Sequence, residues 1–305
     1  MANASRPHGM GRIWKHRMLY LILAPTIVYF LLFCYVPYWG LTIAFKDFSP
    51  GKGIWGSDWV GLAYFHDLFA SDVFFQVFRN TLLISLYKLV FGFPMPLAFA
   101  LLLNEVKHLA FKKTIQTVTY FPHFLSWVVF GGIMLSFLTP NGVIPKLMQL
   151  VQIDASDLMT NTHYFRAILV VTSILKSFGW GSIIYLAALT GIDPSLYEAA
   201  RMDGASRWQQ MLYVTLPSLR SVAVLLFILE LGHILDAGFE QIFIMYNPTV
   251  YEVGDIIDTY VYRIGLGEAQ YSLATAVGMF KGVIGFILIY VANYTVKKMG
   301  EPTLW

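Results

Sequence analysis

The stretch LYLILAPTIVYFLLFCYVPYW, from Leu19 to Trp39, runs for 21 residues without a charged side chain. A helix needs about 20 predominantly apolar residues to cross the hydrocarbon layer of a bilayer. The stretch therefore predicts a membrane-spanning helix. It is longer than the apolar region of a secretory signal, and no small-x-small cleavage site follows it, so we expect it to be retained.

Similar apolar runs recur along the rest of the 305 residues. The chain is 57% hydrophobic and 13% charged, whereas a soluble domain carries about 25% charged residues. The sequence therefore predicts an all-α integral membrane protein with one transmembrane domain over residues 1–305. Six spans are expected, at about residues 18–45, 80–103, 114–138, 166–189, 219–245 and 271–296.

Lysine and arginine residues in the connecting segments predict the orientation of the spans, because cytoplasmic loops are enriched in both. Twelve of them lie on one side: Arg6, Arg12, Lys15, Arg17, Lys107, Lys112, Lys113, Arg201, Arg207, Arg220, Lys297 and Lys298. Six lie on the other side: Lys46, Lys52, Arg79, Lys146, Arg166 and Arg263. With six spans, both termini are expected to face the cytoplasm.

The segment between the fourth and fifth spans, residues 190–217, is far longer than the few residues that join antiparallel helices. From its second residue it reads GIDPSLYEAARMDGASRWQQMLYVTLP. Asp193 and Pro194 are typical of a helix start, with an N-cap acceptor and a proline at the first helical position. Gly204 is expected to end that helix in a left-handed conformation, and Ser206 to cap a second one. The pattern predicts two short cytoplasmic helices joined by a turn.

This segment resembles the cytoplasmic signature of permease subunits of bacterial ABC importers. The signature reads Glu-Ala-Ala, three residues, Gly, nine residues, Ile, one residue, Leu-Pro, and here the spacing is intact with valine in place of isoleucine. The matching residues are Glu198, Ala199, Ala200, Gly204, Val214, Leu216 and Pro217. The resemblance implies that the helix pair, with Arg201 and Asp203, docks on a cytoplasmic ATPase subunit and couples ATP hydrolysis to movement of the spans.

Other segments extend the resemblance to the oligosaccharide-importer branch of that family. They are YVPYWGLTIAFKDF at 35–48, VGLAYFHDLF at 60–69, YFPHFLSWVVFGGIM at 120–134 and AGFEQIF at 237–243. Within that branch the chain is similar to permeases for complex or uronic-acid oligosaccharides, such as the alginate importer. The resemblance implies a non-catalytic, multi-pass, pore-forming subunit of the bacterial inner membrane that works by alternating access. Its implied partners are a second permease subunit in a heterodimer, two ATPase subunits and an external solute-binding protein.

Several polar and aromatic side chains fall inside the predicted spans, where a charge at the bilayer centre costs at least about 2.5–3.5 kcal/mol. On the fifth span, a helical spacing of about 100° per residue places four polar side chains in one arc. They are Glu230, His233, Asp236 and Glu240. This polar face lines a translocation pathway, pairs with lysines of neighbouring helices, including Lys281, or reaches towards the membrane surface from the ends of the span. The other candidates for the pathway are Lys88, Lys176, Trp127, Trp180 and Tyr185.

Two other functions remain open on the residues alone. Intramembrane acids also occur in ion-coupled secondary transporters, although those normally show internal repeats. A membrane-embedded enzyme using His233, Asp236 and Glu240 is the other, but nothing arranges them as an acid–base pair beside a nucleophile. The sequence contains no G-x-x-x-x-G-K-[ST] motif and no histidine spacing typical of a metal site. We therefore expect this chain to bind no metal and no cofactor, with ATP held by the partner ATPase subunits.

Overall fold

The computed structural model describes Trp14, residues 16–152 and residues 157–298, and most of this part is helical. The basic residues Arg6, Arg12 and Lys15, used above to predict orientation, lie outside the described residues. The helices are α1 (Arg17–Phe45), α2 (Ala63–Ala70), α3 (Asp72–Glu105), α4 (Leu109–Phe124), α5 (Trp127–Leu138), α6 (Val143–Leu150), α7 (Thr162–Thr190), α8 (Pro194–Met202), α9 (Arg207–Ser218), α10 (Arg220–Gly232), α11 (Phe239–Met245), α12 (Ile257–Tyr262) and α13 (Tyr271–Lys298).

Short elements fill the connections between these helices. The strands β1 (Lys46–Asp47) and β2 (Asp58–Trp59) form an antiparallel pair in which Lys46 lies opposite Trp59. One turn of helix, Gly53–Gly56, lies between them. The remaining short helices are Pro248–Val250, Tyr251–Gly254 and Arg263–Gly267.

Five stretches of the described chain are long and apolar enough to cross a membrane. They are α1, α3, α5 together with α6, α7 and α13. Helices α9 and α10 pass the same test as a pair, with a bend of 57° between them. The structure thus has five spans, or six if the bent pair is one, in agreement with the predicted all-α membrane fold.

Helices α1, α3 and α9 each contain a proline that follows closely on a π-helical turn. The turns precede Pro37, Pro94 and Pro217 and cover Phe30–Tyr35, Lys88–Gly92 and Met211–Thr215. A proline has no N–H to donate, and its ring collides with the carbonyl four residues earlier. The wider i→i+5 turn moves that carbonyl away, so α1 and α3 continue past Pro37 and Pro94, whereas α9 ends at Ser218, one residue after Pro217.

The third and fifth predicted spans, in contrast, are interrupted. The third breaks between α4 and α5 at Leu125 and Ser126, which adopt extended backbone conformations. Ser126 then caps α5 by accepting a hydrogen bond from the N–H of Val129 at 3.3 Å. The fifth breaks between α10 and α11, where Gly238 has a φ of +94°. The sequence predicted continuous helices here because the residues on both sides of each break remain largely apolar.

Buried side chains hold the helices together in three clusters. One joins α3, α5, α7 and α11 through residues such as Phe165 and Ile242. A second packs α2, α3, α12 and α13 around Phe74 and Val277. The third, around Tyr185, joins α3 to α7 and the start of α10. Helices α3, α7 and α11 therefore surround the middle of the bundle, where the two helix interruptions also lie.

Candidate functional site

The predicted helix pair forms as its local sequence indicated. Asp193 accepts a hydrogen bond from the N–H of Ser195 at 2.9 Å and caps α8, which begins at Pro194. This hydrogen bond lowers the pKa of the Asp193 carboxyl below its usual value, because it stabilises the charged form. Gly204 ends the helix with a φ of +78°. The prediction of a capped helix followed by a left-handed glycine is confirmed.

The turn at Gly204 is closed by two backbone hydrogen bonds. The N–H of Gly204 donates to the carbonyl of Arg201 at 3.0 Å, and the N–H of Ala205 donates to that of Ala200 at 2.9 Å. This is the Schellman arrangement, which satisfies the last carbonyls of a helix and requires a left-handed residue. Ser206 then caps α9 in a reciprocal pair with Gln209. The direction of α9 relative to α8 is therefore determined by Gly204.

Two side-chain contacts stabilise the helix pair. One joins α8 to α9, and the other joins α9 to the membrane helix α3. The hydroxyl groups of Tyr197 on α8 and Thr215 on α9 lie 2.9 Å apart, and Thr215 is buried. Arg207 at the start of α9 forms an ion pair of 3.1 Å with Glu105 at the end of α3. Both partners of that ion pair are substantially exposed, so its contribution is at most about 1 kcal/mol. Glu105 is absent from the predicted coupling residues, because its partner Arg207 lies 102 positions away in the sequence.

The outer surface of the pair carries large apolar side chains. Met202, Trp208 and Tyr213 are 88%, 64% and 76% exposed. Of the predicted coupling residues, Ala200 and Val214 are half-buried, and the exposed ones are Glu198, Ala199, Arg201, Asp203, Gly204, Leu216 and Pro217. Exposed apolar groups beside exposed charges are typical of a protein interaction surface. The geometry suits docking of the pair on another protein.

A partly open cavity of about 530 Å³ lies between helices of the bundle. Its walls come from α3, α7 and α10 and from the two helix interruptions. Six of the predicted pathway residues line it: Lys88, Lys176, Trp127, Tyr185, Glu230 and Asp236. His233, Glu240 and Trp180 do not line it, although Trp180 stacks flat on the lining residue His123 at a ring distance of 4.6 Å. The bundle therefore brings most of the predicted set together.

Lys176 closes the interruption between α4 and α5. Its ammonium group donates to the backbone carbonyls of Pro122 and His123, both at 3.1 Å, and to that of Leu125. The helix ends here, so these carbonyls lack the N–H groups four residues ahead that would donate to them in a continuing helix, although that of Pro122 also accepts from the N–H of Leu125 at 3.2 Å. The ammonium group also lies over the ring of Trp127, 5.4 Å from its centre.

Lys88 has the corresponding place at the other interruption. Its ammonium group donates to the carbonyl of Ala237 at 2.7 Å and to the side-chain oxygen of Gln241. The amide of Gln241 in turn donates to the carbonyl of Leu169 at 2.7 Å and to the hydroxyl of Thr172 at 2.8 Å, both on α7. Gln241 is fully buried. Gln241 is absent from the predicted site residues. A glutamine within the largely apolar AGFEQIF stretch does indicate a buried polar contact.

The predicted single polar face on the fifth span is wrong. Helix α10 ends at Gly232, so Glu230 precedes the break, His233 and Asp236 lie in it, and Glu240 follows on α11. A common helical arc is impossible because the chain changes direction between them. The residues share a region of the bundle through tertiary structure and not through helical periodicity.

No ion pair within 4.0 Å joins these acids to Lys88, Lys176 or Lys281 in the described part of the chain, although Asp236 lies near enough to Lys88, and Glu240 to Lys176, for their charges to interact. Lys281 pairs with Asp258 instead, at 2.6 and 2.7 Å from its two carboxylate oxygens. Across residues 16–152 and 157–298, none of the ion pairs includes Glu230, Asp236 or Glu240. Asp258 was not predicted as a partner of Lys281, because it lies outside the predicted spans.

Tyr185 lines the cavity but its hydroxyl has no hydrogen-bond partner in the described part of the chain, although the side chain is only 2% exposed. An unsatisfied buried hydroxyl costs about 1–3 kcal/mol. We therefore expect Tyr185→Phe to raise the Tm of the purified complex and to leave uptake unchanged. Tyr164→Phe, at an exposed position of the same helix, is the matched control and should change neither quantity. A loss of uptake in an assembled Tyr185→Phe complex would instead assign the hydroxyl to the transport path.

Comparison with known proteins shows extensive similarity. Residues 92–301 match the family described as binding-protein-dependent transport system inner membrane component. Protein LplB of Bacillus subtilis (strain 168) is 46% identical over 97% of this chain and 93% of its own length. The polygalacturonan/rhamnogalacturonan transport system permease protein YteP of the same organism is 45% identical over 96% of this chain and 92% of its own length.

Two solved structures share the fold over nearly the whole chain. One is a bacterial ABC transporter involved in the import of the acidic polysaccharide alginate, with a TM-score of 0.88, 41% identity, and coverage of 95% of this chain and 98% of that one. The other is a bacterial alginate ABC transporter in complex with an alginate pentasaccharide-bound periplasmic protein. Its TM-score is 0.90 and its identity 39%, with coverage of 98% and 100%.

Proposed function

Because the chain belongs to the family of binding-protein-dependent transport system inner membrane components, we propose that it forms part of the membrane path of an importer for acidic oligosaccharides. It is a multi-pass, non-catalytic permease subunit of the inner membrane, and ATP hydrolysis in such importers belongs to separate subunits. The ion-coupled transporter and the embedded enzyme considered above are not functions of this family.

The observation that carries the choice of cargo is the similarity to YteP and to the alginate importer over more than nine-tenths of this chain. Polygalacturonan and alginate are both acidic sugar polymers, and sugar rings combine apolar faces with many hydroxyl groups. The cavity presents matching groups: the rings of His123 and Trp127 for stacking, and the hydroxyls of Ser173 and Ser177 for hydrogen bonds. Its volume lies within the range of small-ligand sites, about 300–1,000 Å³.

Energy coupling is assigned to α8 and α9. The Schellman turn at Gly204 gives the pair a defined shape, and the exposed Met202, Trp208 and Tyr213 give it an apolar docking surface. In this proposal the pair lies on the cytoplasmic side with both termini. It inserts into one of two ATPase subunits, which hold ATP, while this chain itself binds no cofactor.

The proposed importer function implies two further partners. A second permease subunit completes the path beside this one, and an external solute-binding protein delivers the saccharide. Helix α1 is consistent with a subunit or lipid contact, because none of its residues from Arg17 to Tyr35 is buried within this chain.

Reconstitution tests this function directly. The chain would be assembled in proteoliposomes with its partner permease, ATPase subunits and binding protein, and uptake of galacturonate, alginate and neutral arabinose oligosaccharides compared. We expect ATP-dependent uptake, with acidic saccharides at least about tenfold faster than neutral ones, which corresponds to about 1.4 kcal/mol of discrimination. Equal rates would contradict the acidic cargo. Uptake driven by a proton or sodium gradient without ATPase subunits would contradict the importer itself.

A further inference from the structure

Two lysines occupy the middle of two membrane helices. Lys88 lies halfway along α3 and Lys176 halfway along α7, and these two helices pack against each other. An ammonium group at such a depth costs at least about 2.5–3.5 kcal/mol unless other groups solvate it. In an importer of acidic sugars, the obvious role for both would be to bind carboxylates of the cargo. Their hydrogen bonds indicate a different role.

The ammonium group of Lys176 is already saturated. Such a group has three N–H donors, and three backbone carbonyls at the end of α4 accept from it. All three carbonyls come from residues 122–125, where the chain leaves its helix. Because an unpaired carbonyl inside the membrane costs several kcal/mol, the interruption depends on a donor supplied from another helix.

Lys88 supplies hydrogen-bond donors at the second interruption in the same way. Its ammonium group donates hydrogen bonds to the carbonyl of Ala237 and to the side-chain oxygen of Gln241. The amide of Gln241 in turn donates to the backbone of α7. Gly238 confirms how closely the lysine approaches, since a Cβ atom there would lie 2.7 Å from the lysine nitrogen. A positive φ and this contact both favour glycine at the position.

We propose that Lys88 and Lys176 are positioning residues that hold two helix interruptions open beside the cavity, and that Lys176, whose three donors are all taken, is not a ligand of the cargo carboxylate. The α4–α5 interruption places His123 and Trp127 on the cavity wall, so Lys176 acts on cargo through those rings. The step from cavity wall to cargo rests on the proposed function, whereas the capping role does not. The anionic groups of the cargo must then be matched by side chains other than Lys176.

Two substitutions of Lys176 separate hydrogen-bond donation from charge. Lys176→Gln keeps N–H donors but removes the charge, whereas Lys176→Met removes both. If the lysine caps the interruption, Gln should retain most of the uptake and Met should lose about tenfold, the equivalent of one charge-assisted hydrogen bond. If charge attracts the cargo, Gln and Met should be equally impaired, which would overturn the proposal. Lys146→Met, at an exposed lysine outside the cavity, is the matched control.

The rate of thiol labelling measures how accessible the α4–α5 interruption is, and this measurement requires no cargo. Cys34 is the single cysteine of the chain, so a Cys34→Ser background carrying Leu125→Cys gives one reporter at the carbonyl that Lys176 holds. In the assembled complex, Lys176→Met should raise the maleimide labelling rate of this cysteine about tenfold, and Lys176→Gln should raise it less. Unchanged labelling in both variants would overturn the capping role, whichever saccharide the importer carries. A complex that takes neutral sugars but shows the expected labelling would refute only the proposed cargo.

Discussion

Replacing Gly204 by valine is expected to lower ATP-driven uptake by about tenfold or more while the complex still assembles. Gly204 has a φ of +78°, and no atom of the described residues lies within 4 Å of the position of a Cβ, so the strain would be purely conformational. A β-branched residue is especially unfavourable in the left-handed region. The Schellman hydrogen bonds from Gly204 and Ala205 would open, and α9 would leave its defined direction relative to α8.

The measurement is uptake together with ATPase activity stimulated by the loaded binding protein. We expect basal ATPase activity to persist and its stimulation to be lost, because the docking surface is displaced and no catalytic group is touched. Gly204→Asn is the matched control, since asparagine adopts the left-handed conformation more readily than other non-glycine residues, and it should retain most of the coupling. Normal stimulated activity in Gly204→Val would show that the shape of the turn does not matter for coupling.

Replacing Gly179 by alanine is expected to destabilise the bundle by about 1–3 kcal/mol or more, the usual cost of overpacking. A Cβ atom at this position of α7 would lie 2.3 Å from the backbone carbonyl oxygen of Thr119 on α4 and 2.6 Å from its carbonyl carbon. Backbone atoms within a helix cannot move aside as the end of a flexible side chain can. Helices α4 and α7 would therefore separate.

The separation would also draw α4 away from Lys176, one helical turn before Gly179. We expect a lower Tm and a lower yield of the purified complex, and faster labelling of a cysteine at position 125. Gly278→Ala is the matched control within a long membrane helix, because a Cβ there has no neighbour within 4 Å among residues 16–152 and 157–298. Equal Tm values for the two variants would show that the close approach at Gly179 does not contribute to stability.

The helix pair shows how far sequence reasoning reached for this molecule. Asp193, Pro194, Gly204 and Ser206 act through hydrogen bonds and torsion preferences that involve residues at most five positions away. Such interactions are encoded in the order of residues, so their outcome was predictable. The number of apolar stretches was predictable for a similar reason, because the thickness of a bilayer sets the length of apolar chain required.

The cavity shows where that reasoning failed. Periodicity placed Glu230 and Glu240 on one helical face, but the chain leaves the helix after Gly232 and re-forms one at Phe239. Whether a break is tolerated depends on whether another helix supplies donors for the exposed carbonyls. Here those donors are Lys88 and Lys176, which lie 149 and more than 50 residues away from their carbonyl acceptors. A local sequence pattern cannot predict a contact between residues so far apart in the chain.

The sequence by itself therefore determined that this chain crosses the membrane several times and carries a capped helix pair. Both follow from short-range physics: the transfer of apolar side chains into lipid and the capping of helix ends. Only the tertiary structure decided which polar side chains solvate which backbone breaks, because a buried charge takes its partners from whatever elements the fold brings within about 3 Å of it.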